Sequence, residues 1–385
     1  MDRALREYLT LAAIGSVMLM FIAGIIWYLA SFSLRESSNA NQWEIRIDQG
    51  KTLELFLSGV EFEVVVAEVG QDKQLDKVPT KVTFEVSATG RGENSATIYA
   101  ASEPVRTPAN DGARIEWKAD LDDLALARGI GQSRMGWLRV EVPPGINVRA
   151  VSSLGCHFSG DFGNADLGCE TEDGSVAIEG QARSLNFSSV TGDITILLSG
   201  YAGWVSTRNS RGKTVLMGPV GKLEAKNGVG GIQAKLETAP ISANLVTQSG
   251  DIVASGLSGQ VRAESGGGTI RLAIGAMKPN DSVRITTESG NIEAFLLSES
   301  AVKLDAVSDR GITLTPEYKT NIGKGIKIEP SILPAATVLI RSKYGTIRLL
   351  DKDTIDPLAE PDPDASEPKG SPMPRPSRGG NLDRR

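Results

Sequence analysis

The chain is poor in the residues that carry most enzyme chemistry. Its 385 residues include a single histidine, His157, and two cysteines, Cys156 and Cys169. One histidine without a neighbouring Cys, Ser and Asp signature leaves no triad to build, and with two cysteines it falls short of four zinc ligands. Aromatic residues make up 5 %, so the Trp and Tyr platforms of a carbohydrate groove are scarce. The formal net charge of −6 has the wrong sign for general nucleic-acid binding. Between Trp43 and Leu350 no long stripe of apolar residues recurs at the 3.6-residue helical period, and the best helical candidate, 121–127, is short. Gly266-Gly267-Gly268 lacks the Lys-Ser/Thr and the helix of a phosphate loop. No cofactor or metal is implied, and the chain reads as a non-enzyme.

Glycine is what the chain has in quantity, 42 in all. Gly155, Gly174, Gly192, Gly212, Gly230, Gly250, Gly268 and Gly290 stand 19, 18, 20, 18, 20, 18 and 22 residues apart, and Gly345 follows after a gap. Most are followed two residues later by Ile or Val, as in SSVTGDITI, VTQSGDIVA and TTESGNIEAFL. Each copy reads as a polar turn, a glycine free to take positive φ, then an alternating strand. Val176/Ile178, Ile194/Ile196, Ile270/Leu272 and Ile347/Leu349 occupy i and i+2, one face of a strand, taken as the interior. About ten residues on, a second set appears: Leu185/Phe187, Val261/Ala263, Val283/Ile285 and Val302/Leu304.

A fixed period of this size marks a solenoid whose coils bury their apolar faces only by stacking. It is too short for a strand plus crossover helix, which needs about 30 residues. The expected fold is all-β, a single-stranded parallel β-helix of 18–20 residues per coil over 151–350. An ordinary β-sandwich is the alternative, but it has no reason to repeat Gly-x-Ile in register. Residues 41–150 lack the clean repeat and read as a cap with the first irregular coils, with strands expected at 53–57, 62–67, 82–86, 96–99, 113–117 and 136–142. After Gly290 the pattern breaks: Arg310-Gly311-Ile312 shifts the glycine by one, and an insertion at 316–331 delays the last coil. Insertions on one face of a solenoid are where binding surfaces are built.

At the Ser/Thr-Gly-Asp-Ile turns, and at Pro143-Pro144-Gly145 leading into Ser152-Ser153-Leu154-Gly155, the chain resembles a bacterial adhesin-like family of β-strand repeat domains of unestablished function. The resemblance spans roughly 41–350. It implies a right-handed parallel β-helix, often tethered to a membrane and associated with adhesion or envelope stress. It carries over no catalytic residues.

Residues 8–32 contain no charge over 25 positions, enough for a bilayer span of about 20 apolar residues. A short segment, 1–7, precedes this anchor and a linker, 33–40, follows it. The balance of flanking charges tips the amino terminus inward, which puts the solenoid outside the cytoplasm. The tail, 351–385, holds 7 of the 18 prolines and almost no apolar residues, so it reads as disordered. Cys156 and Cys169 differ in repeat phase, leaving open both a disulfide and two free inward thiols. The acids following the glycines, Asp193, Asp251 and Glu293, alternate with other residue types and read as turn formers. Residues 159–166 bear a faint likeness to calcium-binding β-rolls, but those repeat every nine residues and this segment occurs once.

The functional expectation is a single-pass bacterial envelope protein, inserted in the cytoplasmic membrane, whose solenoid serves as a non-catalytic scaffold or interaction module. Its partner would be a protein or another envelope component, and not nucleic acid. The alternatives are a membrane-attached filament of bactofilin type and a glycan-acting β-helix enzyme.

Overall fold

A computed structural model describes residues 36–47, 50–58, 61–67, 81–91, 105–109, 112–118, 133–296, 302–314, 325–328 and 335–351. The expected anchor at 8–32, the helical candidate at 121–127, the strand at 96–99 and the tail beyond 351 lie outside them. Among the described residues there is no helix, and none that is long and apolar enough to cross a membrane.

Among the described residues, twenty-eight strands form two 14-stranded sheets. At the amino-terminal end are β1 (Glu36–Arg46), β2 (Thr52–Ser58), β3 (Glu61–Val66), β4 (Lys81–Arg91), β5 (Val105–Ala109), β6 (Gly112–Lys118) and β7 (Ser133–Val142). Next come β8 (Asn147–Ser152), β9 (Cys156–Asp161), β10 (Asp166–Asp173), β11 (Val176–Gln181), β12 (Ser184–Thr191) and β13 (Ile194–Leu198). The series continues with β14 (Trp204–Arg211), β15 (Thr214–Gly218), β16 (Lys222–Val229), β17 (Ile232–Leu236), β18 (Ser242–Ser249) and β19 (Ile252–Leu257). Then follow β20 (Gln260–Ser265), β21 (Ile270–Ile274), β22 (Ser282–Thr287) and β23 (Ile292–Leu296). The last five are β24 (Val302–Ser308), β25 (Ile312–Leu314), β26 (Gly325–Ile328), β27 (Ala336–Ser342) and β28 (Ile347–Asp351).

From β8 to β23 the chain alternates sheets, even strands in one and odd strands in the other. Each strand pairs in parallel with the strand one coil away: β12 with β10 and β14, β13 with β11 and β15. A coil is thus an even strand, a glycine turn and an odd strand. Period-2 alternation turns one side of each strand inward, and β12 (iBeBiBee) and β13 (BiBeB) show the result. The predicted pairs Ile194/Ile196 and Leu185/Phe187 are fully buried between the sheets. The core runs as one cluster from Ile47 to Leu349. Near its amino-terminal end Phe158 stacks on Phe187 at 5.5 Å and meets Phe62 and Phe162 edge-on at 6.4 and 6.1 Å.

Sequence order and stacking order part company at both ends. Leading in from β8, the even sheet reads β8-β2-β6-β5 and the odd sheet β9-β3-β7-β4-β1. The β2/β3 coil therefore lies inside the later β6/β7 coil, and β5, β4 and β1 add to the ends as antiparallel strands. At the other end the orders are β22-β27-β24-β26 and β23-β28-β25. The chain lays down β24/β25, turns back through β26, and only then slots β27/β28 between that coil and β22/β23. Glu293 consequently sits beside Arg348 rather than Thr313. The 316–331 insertion includes β26, which runs antiparallel along β24 and covers the end of the even sheet. Antiparallel strands at sheet ends shield an edge that would otherwise recruit other chains.

Candidate functional site

The repeat glycines sit where successive turns stack. At Gly192, with φ 138°, a Cβ would lie 2.3 Å from the Gly174 carbonyl oxygen. At Gly268, whose φ is outside the left-handed region, it would lie 1.9 Å from the Gly250 oxygen. The first position has the positive φ expected from sequence and is also crowded by the preceding coil's backbone, whereas at the second that crowding alone requires glycine.

Three residues before each such glycine stands a Ser, Thr or Asn that the sequence reading did not single out. Ser152, Thr171, Ser189, Asn209, Asn227 and Thr247 are stacked neighbours in the even sheet, continued by Ser265, Thr287, Ser342 and Ser308. All are buried. Ser265 Oγ donates to the Gly250 carbonyl at 2.9 Å, Thr247 Oγ1 to Gly230 at 3.0 Å, and Ser342 Oγ to Gly290 at 2.9 Å. The same hydroxyls accept in return: Gly268 N–H reaches Ser265 Oγ at 2.8 Å, and Gly345 N–H reaches Ser342 Oγ at 3.0 Å. Asn227 Nδ2 bridges the Gly212 and Gly231 carbonyls at 3.2 and 2.9 Å, while Asn227 Oδ1 accepts from Thr214 Oγ1 at 2.9 Å. Buried turn backbone needs such partners. Ser308 keeps its place before Gly311, so the one-residue shift noted at 310–312 is absorbed between glycine and strand.

The residue after the glycine has a related task. Asp193 Oδ1 accepts the Lys213 N–H at 2.7 Å, Asp251 Oδ1 the Thr269 N–H at 2.7 Å, and Asn291 Oδ1 the Thr346 N–H at 2.9 Å. The Asp of Gly-Asp-Ile thus ties one coil to the next. Asp161 Oδ1 caps the Gly163 N–H at 2.8 Å in a local turn.

Cys156 on β9 and Cys169 on β10 both point inward, and the structure joins them as a disulfide across the interior. His157 lies on the outer side of β9, its Nδ1 3.6 Å from Glu63 Oε1. Among the described residues no group of three or more His, Cys, Asp or Glu is placed to hold a metal ion.

The outer faces carry rungs of paired charge. On the odd sheet Glu293 takes Arg271 Nε at 2.8 Å and Arg348 Nη1 at 3.0 Å from the coils on either side. On the even sheet Glu264 takes Arg262 at 2.6 Å and Arg284 at 3.8 Å, and the Arg262 hydrogen bond holds its carboxyl below the ordinary range. Asp166 is held low by the Arg183 guanidinium, aided by Ser184 Oγ at 2.6 Å. Such exposed pairs are screened by water and add little to stability, so they set register and surface pattern instead.

One open groove of about 440 Å³ lies on the outer even face over Gly168, flanked by Arg149, Asp166, Glu170, Asn186 and Trp204. Its residues come from β2, β8, β10, β12 and β14.

No protein-family profile and no curated protein matches the chain. Among solved structures, a chain from Bacteroides fragilis with a provisional adhesin designation is similar at TM-score 0.32 and 13 % identity, over 82 % of this chain and 98 % of that one. A Parabacteroides merdae chain of the same designation scores 0.35 at 11 % identity, over 81 % and 97 %. A Clostridium sporogenes chain with a provisional cell-adhesion designation scores 0.20 at 10 % identity, over 82 % and 100 %.

Proposed function

We propose that the chain is a non-catalytic envelope protein, anchored by residues 8–32, whose solenoid displays side chains at fixed spacing to an extracytoplasmic partner. What carries the reading is the division of labour between inside and outside. The interior is a closed cluster of apolar residues and buried ladder hydroxyls, and the turn acids at Asp193 and Asp251 are engaged in tying coils together. Chemistry is left to the outer rungs, where rigid strands hold polar groups about 4.8 Å apart along the stack. A filament requires an open end, and the antiparallel strands β1, β5 and β26 argue against end-to-end growth.

The test is protease added to intact spheroplasts, with antibodies against the solenoid and the tail. Loss of the tail epitope without lysis is expected, together with Cys156 and Cys169 that resist alkylation until reduced, as an oxidising compartment allows. Full protection of both epitopes until lysis would overturn the extracytoplasmic placement.

A further inference from the structure

We infer that the groove over Gly168 is a binding site for an extended oligosaccharide, a proposal that rests on the interaction-surface reading above. On the outer face of the even sheet, Gly168 and Asn186 are neighbours in successive coils, with Arg149 next to Gly168 on the other side. The trough runs across the strands, its other side lined by Thr52, Asn147, Asp166, Ser184 and Trp204 from five successive strands of the sheet, with Arg149 and Glu170 beside it. At Gly168 the floor drops to backbone, since a Cβ there would find only ordinary contacts, with the Asn186 carbonyl at 3.6 Å and Arg149 Cγ at 3.9 Å.

The walls have complementary chemistry. Trp204 lines the groove and is 39 % exposed although it is large and aromatic. A half-exposed indole beside a polar floor offers an apolar platform to the face of a sugar ring. The Asn186 carboxamide is exposed on this face and carries two donors and an acceptor suited to a ring hydroxyl. Asp166 is locked in place by Arg183 and Ser184, a fixed polar edge rather than a mobile one.

The direction of the trough selects the ligand class. A peptide strand docks on a sheet edge through backbone hydrogen bonds, but here the backbone groups of β10, β12 and β14 are used in the parallel ladders. A ligand lying across rungs meets side chains at a repeat of about 4.8 Å, close to the ring-to-ring repeat of a glycan chain. The volume of about 440 Å³ holds a few sugar rings. A low aromatic content does not oppose this, because one tryptophan at the trough suffices where many scattered ones would not.

The experiment is calorimetric titration of the full-length chain in mild detergent with chitotetraose, cellotetraose and a tetragalacturonate. Binding of at least one is expected, with Trp204→Ala and Gly168→Gln each weakening it tenfold or more, about 1.4 kcal/mol. Both positions face outward in extended strand, so the thermal midpoint stays within a few degrees of wild type. Absence of binding at millimolar concentrations of all three, or binding that both variants retain, overturns the site. A parallel pull-down with purified envelope material separates the two proposals. Capture that persists in both variants keeps the display function and removes the glycan groove. No capture by the wild type removes both.

Discussion

Replacing Gly268 by alanine tests the stacked-turn geometry most directly. The new Cβ would lie 1.9 Å from the Gly250 oxygen and 2.2 Å from its carbonyl carbon, whereas non-bonded carbons rest at about 3.5–4.0 Å. The two coils must part by more than an ångström at this turn. Parting them strands the Ser265 hydroxyl, which bonds both Gly250 O and Gly268 N. Each buried polar group left unpaired costs about 1–3 kcal/mol, so the expected loss is about 3–5 kcal/mol. Two controls separate collision from strain. Gly311 has φ 118° with nothing within 4 Å, so Gly311→Ala carries backbone strain alone, about 1–2 kcal/mol. Gly168→Ala carries neither and stays within about 1 kcal/mol of wild type. The assay is urea unfolding of the full-length chain followed by far-ultraviolet circular dichroism. Because each coil touches only its neighbours, the Gly268 variant should also split the transition in two. Equal midpoints for the Gly268 and Gly168 variants would refute the reasoning.

Coil order at the carboxyl end can be read by pairing cysteines. Glu293→Cys with Arg348→Cys should crosslink through a short bifunctional reagent, while Glu293→Cys with Thr313→Cys, two rungs apart, should not; the reverse result would restore sequential stacking. Asp166 gives a pH signature of fixed sign. Its folded-state pKa is lowered by Arg183, so its contribution is present at neutral pH and disappears as the pH falls below the ordinary aspartate value through the folded one. Asp166→Asn should lower the thermal midpoint by no more than about 2 °C at pH 7 and by nothing in strong acid. A larger gap in acid than at neutral pH would show the sign to be wrong.

Much of the architecture was legible because it depends on local pattern. The i and i+2 pairs from Val176/Ile178 to Ile347/Leu349 face the interior as their alternation requires. The ladder of Ser, Thr and Asn was visible as well, three residues before every repeat glycine, but it looked like turn composition. Side chains such as Thr247 and Ser265 prefer turns for local reasons, and only the stacking shows them reaching the preceding coil. The interleaved ends were not legible, because Gly290, Gly311 and Gly345 carry equivalent turns and nothing local says which stacks on which. The groove was hidden for the opposite reason. Gly168 stands outside the periodic set, and its meaning comes from Asn186 and Trp204, one and two coils away in the stack.

The slotted last coil also changes how the molecule bears load. In a chain wound coil upon coil to its finish, a pull on the carboxyl terminus would peel away an end strand with a neighbour on one side. Here the pull enters at β28, which is clasped between β23 and β25, while β27 is clasped between β22 and β24. Extracting either means rupturing two ladders together, in shear, before the outer coil is loaded at all. A tether at one end and a tail at the other would then strain the stack as a buckle rather than as a zip.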